Sequence, residues 1–123
     1  MASGLENRVG VTFELLWTNP DTASSFSAQT VDLDLTKYDG AFITFLAVKN
    51  NLNQQSTMIC PKSASWASVL FTVVPNSTTA RTRNVYVKDA GVQFASGYGD
   101  GTSDDGNAVP YKIYGIKGMT FTS

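Results

Sequence analysis

Apolar and polar residues alternate with a period of two along most of this chain, the rhythm of extended strands with one buried face. The clearest stretch sets Val31, Leu33 and Leu35 on one side and Asp32, Asp34 and Thr36 on the other. Residues 11–17, with Val11, Phe13, Leu15, Leu16 and Trp17, predict a first strand that ends at Thr18-Asn19-Pro20-Asp21, where Asn-Pro favours a turn. The Ser/Ala-rich connection after it has Phe26 as its single large apolar anchor. Tyr38-Asp39-Gly40 signals a turn, because Asp-Gly accepts positive backbone angles. Residues 41–48 are then nearly continuous in apolar side chains, which predicts a central strand covered on both faces.

Residues 49–56 are amide-rich and read as an exposed loop. Short strands follow at 57–60, closed by Pro61, and at 67–74, closed by Pro75-Asn76. Residues 80–88 alternate again, with Val85 and Val87 on one side and Tyr86 on the other, and Asp89-Ala90-Gly91 turns the chain into 92–94. Residues 96–107 carry Gly, Asp and Ser without apolar period and predict a loop; 109–116 is the last long strand, with a short piece at 119–121. About seven or eight strands with turn signals every 8–12 residues or so predict a single-domain antiparallel β-sandwich, jelly-roll-like, spanning 1–123 with 1–8 as a flexible arm. Helices longer than a turn, internal repeats and interdomain linkers are not expected.

Composition narrows the chemistry. Only 15% of the 123 residues are charged and the formal net charge is −1, so no general attraction to nucleic acid or anionic membrane is expected. Arg81, Arg83 and Lys88 form a local basic cluster, read as a solvated strand face. The chain has no histidine, which removes Ser-His-Asp and Cys-His catalysis and imidazole zinc sites. Cys60, the single cysteine, lies between Ile59 and Pro61 and reads as a buried, unreactive thiol. No secretory signal and no apolar run of membrane-spanning length is present, so synthesis in the cytoplasm without membrane insertion is expected.

Three groups of side chains remain as candidates. Asp100, Asp104 and Asp105 offer oxygen ligands of the kind calcium takes, but their spacing does not match the EF-hand loop, and mobile acidic turns look the same; no metal or cofactor is assigned. Trp66, in a polar segment, and Tyr98, in the glycine-rich stretch, are the aromatic residues best placed to meet a sugar face, whereas Trp17 reads as core. Tyr114, Gly115 and Ile116 belong to a strand with large apolar residues on both sides: Tyr111, Ile113 and Lys117 on one, Lys112, Tyr114 and Ile116 on the other. Such a strand is covered twice, and a neighbouring subunit can supply one cover. Gly115 marks a bulge or a close approach of another group.

Two segments resemble small proteins of Firmicutes phages and prophages. One is Leu16-Trp17-Thr18-Asn19-Pro20, followed by 26–35 and Tyr38-Asp39; the other is 107–117, which closes on Lys112-Ile113-Tyr114-Gly115-Ile116-Lys117. In those proteins a cysteine or small residue often precedes the proline, where this chain has Val109, and here the chain continues to Ser123. The resemblance implies a tail-associated virion protein and supplies no binding residue. The expected function is therefore non-enzymatic: a tail-fibre, baseplate or receptor-binding module located in the virion. It would be assembled with other virion proteins, as a homotrimer, and act on a host cell-surface glycan. A capsid decoration or head-fibre protein, a stand-alone carbohydrate-binding module and a carboxylate-based glycosidase are the alternatives, the last requiring two positioned acids.

Overall fold

A computed structural model describes residues 10–62, 66–72 and 80–120; the expected arm at 1–8 and residues 73–74 and 121 of the predicted strands lie outside them. Two antiparallel sheets pack face to face as a β-sandwich. The strands are β1 (Thr12–Thr18), β2 (Gln29–Asp32), β3 (Gly40–Val48), β4 (Gln55–Pro61), β5 (Ala67–Thr72), β6 (Ala80–Lys88), β7 (Gly91–Gly99), β8 (Thr102–Ser103) and β9 (Asn107–Lys117). The first sheet has the order β1-β9-β3-β4 and the second β2-β7-β6-β5, with the short β8 also paired to β7. The first three strands alternate between sheets, as the expected jelly-roll-like path requires; from β3 onward the chain advances largely by hairpins.

The period-two pattern fixes which side chains face inward. Ile43 and Phe45 of β3, Val85 and Val87 of β6, Val92 and Phe94 of β7, and Val109 and Ile113 of β9 are all buried in one core. An aromatic chain crosses that core from Trp17 to Phe26 to Phe94 to Phe45, at ring separations of 6.0, 5.4 and 6.2 Å. Phe26 thus anchors the long β1–β2 connection, and fully burying such a side chain contributes about 1.5–3 kcal/mol. Cys60 is buried, and burial pushes its thiol pKa up, which keeps it protonated.

Register irregularities do the aiming. A bulge between Leu15 and Trp17 inserts Leu16, so Leu15 points out while Trp17 turns back onto the core. A second bulge sets Arg83 opposite Gly97 but Val85 opposite Phe94, leaving Ala95 and Ser96 to face Asn84.

Three expectations are corrected. Strand β2 ends at Asp32, although Leu33 and Leu35 continue inward and bond the Asp89-Ala90 turn through their amides. Strand β4 already starts at Gln55, inside the expected loop. Residues 96–107 are mostly strand, because β7 runs to Gly99 and folds back through β8 into β9.

Candidate functional site

Among the described residues, two outward faces and one buried cation distinguish this sandwich. The outer face of the first sheet carries Leu15, Tyr114, Phe42 and Ile59 in direct register across all four strands. Phe13 stands opposite Ile116 in the adjoining row, and the Phe13, Phe42 and Tyr114 rings meet at 5.1 and 5.7 Å. Leu15 and Ile59 remain 52% and 48% exposed, and Phe13 42%. Water is therefore in contact with a continuous apolar row, whereas isolated exposed leucines are ordinary. Beside it lie Thr44, Thr57 and Lys112, which share one further register row.

The expected contact residues divide here. Tyr114 is half-buried and part of the row. Ile116 shares the outward face with Tyr114, in the row beside it, but is fully buried within the chain and so is not itself a free contact. Gly115 faces the other way, beneath Tyr38: a Cβ at that position would lie 2.5 Å from the Tyr38 ring. It is a close-approach glycine, as one of its two sequence readings has it. Tyr38 also donates a 2.7 Å hydrogen bond to Glu14, and Lys117 lies 5.2 Å from the Tyr38 ring centre and 3.3 Å from the Glu14 carboxylate. The Tyr38 hydroxyl and then Lys117 hold the Glu14 carboxyl below its ordinary pKa, and the same bond raises that of the Tyr38 phenol.

On the second sheet the outward row is Thr30, Gln93 and Tyr86, with Trp66 just ahead of β5 completing it. The Trp66 and Tyr86 rings meet edge to face at 5.4 Å, and Lys88 Nζ stands 5.0 Å from the Tyr86 ring centre. Trp66 and Tyr98, distant in sequence, line one groove of about 480 Å³ together with Thr30, Asn84, Gln93 and Ser96. Both rings are substantially exposed, at 46% and 42%.

Arg83 overturns the solvated reading of the basic cluster. Its side chain is completely buried, and its guanidinium donates to the carbonyls of Phe26, Ala95, Asp105, Asn107 and Ala108 at 2.7–3.1 Å. It also lies 5.6 Å from the Phe26 ring centre. Desolvation lowers its pKa to about 10, with Asp105 opposing the shift, and so it stays cationic at neutral pH. Gly97 makes room for it, since a Cβ there would stand 2.7 Å from the guanidinium and 2.5 Å from the Asn107 carbonyl. Ala108 holds φ at 46°, in the left-handed region, with its carbonyl turned to Arg83 Nε. This one cation ties the β1–β2 connection, β7 and the start of β9 together. Its signal in the sequence was parity, because 83, 85 and 87 share a face.

The three loop carboxylates serve three backbone amides: Asp100 accepts from Ala80, Asp104 from Gly106 and Asp105 from Gly97. Among the described residues no cluster of three or more acidic, cysteine or histidine side chains is placed to hold an ion. The acids Asp32 and Asp34 are exposed, and Asp34 accepts from the hydroxyl and amide of Thr36, which lower its pKa.

Compared with known proteins, the chain matches no family model, no curated protein and no solved structure at a significant level.

Proposed function

We propose that this chain is a non-enzymatic structural module of a phage particle, of the tail-fibre, baseplate or receptor-binding kind. It works by assembling with further copies of itself and by touching the host surface. The observation that carries the reading is the outward row Leu15–Tyr114–Phe42–Ile59, an apolar ladder that crosses a whole sheet. Its position favours a second copy as the cover. The face has Lys112 at its margin and Thr44 and Thr57 beside it, so two copies can meet without opposing charges at the centre. Four strands about 4.8 Å apart and seven residues long make a footprint of roughly 19 Å by 23 Å. Covered with large side chains, that area supplies a good part of the ~800 Å² per partner that a stable interface buries.

The phage assignment draws on the closing segment Lys112–Lys117 and its resemblance to tail-associated proteins; the apolar row gives that segment a physical purpose, since Tyr114 and Ile116 belong to the outward face. Antibody against the chain, applied to purified particles from the encoding strain and imaged by electron microscopy, tests the assignment. Labelling at a fixed position on the tail is expected. Particles that lack the chain altogether would overturn it.

A further inference from the structure

The outer face of the second sheet differs from that of the first in chemistry. Its groove is lined by two exposed rings, Trp66 and Tyr98, and by the amides and hydroxyls of Asn84, Gln93, Thr30 and Ser96. Among the described residues that line it, none carries a carboxylate, ammonium or guanidinium group. Such a wall gives a charged ligand no counter-charge of its own, and the nearest ammonium, Lys88, stands behind Gln93 and against the Tyr86 ring. A saturated hydrocarbon would leave the amides without partners. A ligand with flat apolar C–H faces and a rim of neutral hydroxyls satisfies both parts of the lining, and a pyranose ring has that construction.

The geometry points to this groove as a binding site for a neutral oligosaccharide, deepening the host-contact part of the reading above and resting on it. Trp66 is a prepared platform: its edge-to-face contact with Tyr86, itself braced by Lys88, fixes the indole while nearly half of the residue's surface stays in water. The amides are oriented as well. Gln93 Oε1 accepts from Lys88 Nζ at 3.1 Å and Asn84 Oδ1 accepts from Ser68, so each carbonyl is engaged and each NH2 is directed elsewhere. Among the described residues neither NH2 has an acceptor, which leaves donors for sugar oxygens. The bulge in β7 places Ala95 and Ser96 together opposite Asn84, opening the surface between the two rings. A volume of about 480 Å³ suits a short oligosaccharide.

The test is a glycan array probed with the purified chain, carrying neutral glucose, galactose, N-acetylglucosamine and rhamnose oligomers beside sialylated and sulfated ones. Binding to at least one neutral series is expected. Trp66→Ala and Tyr98→Ala should each weaken it by about tenfold or more, and Trp66→Phe should restore part of the loss. Thermal midpoints and sedimentation of the variants should match the wild type, since both side chains are exposed. Silence on every neutral oligomer, a preference for the charged series, or undiminished binding by Trp66→Ala would each overturn the inference. Assembly and particle labelling are read separately. Loss of glycan binding with assembly intact removes the groove alone, and glycan binding by a chain absent from particles removes the virion reading alone.

Discussion

Arg83 shows how much of this fold hangs on single side chains. A guanidinium without access to water is costly unless its donors are used, and here five backbone carbonyls from three stretches of chain use them. Arg83→Met would keep the bulk but strand those carbonyls. A loss of about 3–5 kcal/mol is expected, read as a shift of the urea midpoint, out of the ~5–15 kcal/mol that a domain has. A shift under about 1 kcal/mol would mean the carbonyls find water instead. The Glu14–Tyr38 bond makes a second prediction at this scale. Because folding lowers the Glu14 pKa from 4.5, its contribution is complete above that value and disappears as pH falls through the folded one. Folding raises the Tyr38 pKa above 10.0, so its contribution is complete below 10.0 and is lost as pH climbs through the raised value. A series of thermal midpoints against pH should therefore fall at both ends. Glu14→Gln should flatten the acid limb, leaving the part due to Asp34, whose pKa is also lowered. Identical acid limbs in the two proteins would count against the bond.

Among the elements, β9 is the one that meets every demand at once: it pairs with β1 and β3, buries Ile113, and sends Tyr114 outward. Gly115 permits this by letting the Tyr38 ring lie against the backbone, so Gly115→Val should force the ring away. A destabilisation of about 1–3 kcal/mol is expected, with the melting temperature as readout, and an unchanged melting temperature would show that Tyr38 yields freely. Strands were legible in the sequence where alternation was clean. Val31, Val85 and Val87 face inward as their spacing says, and the continuous apolar run of β3 did mean two apolar faces. The bulges were not legible. Inserting Leu16 or Ser96 into a strand leaves no special residue behind, yet each insertion reverses the parity of the residues after it. Arg83 departs from its expected place for a chemical reason: an arginine in a strand suggests solvent, whereas its parity with Val85 and Val87 puts it inside. Trp66 and Tyr98 could be recognised singly as exposed rings, but their meeting in one groove depends on the pairing of β5, β6 and β7.

At the scale of the whole molecule, the sandwich presents two unlike outer surfaces, one an apolar ladder and the other a neutral polar groove with two rings. That division suits a module held in place by one face and reaching outward with the other. Leu15 and Ile59 are already about half-buried, so covering them should contribute about 1 kcal/mol apiece, and association at micromolar concentration, about 8 kcal/mol, draws on the whole ladder and its margins. Sedimentation velocity over a concentration series is the most direct measurement. The wild-type chain is expected to form a discrete oligomer, while Leu15→Asp combined with Ile59→Lys should sediment as a folded monomer with an unchanged circular-dichroism spectrum. A wild-type chain that stays monomeric throughout the micromolar range, or an oligomer indifferent to those two substitutions, would contradict the account.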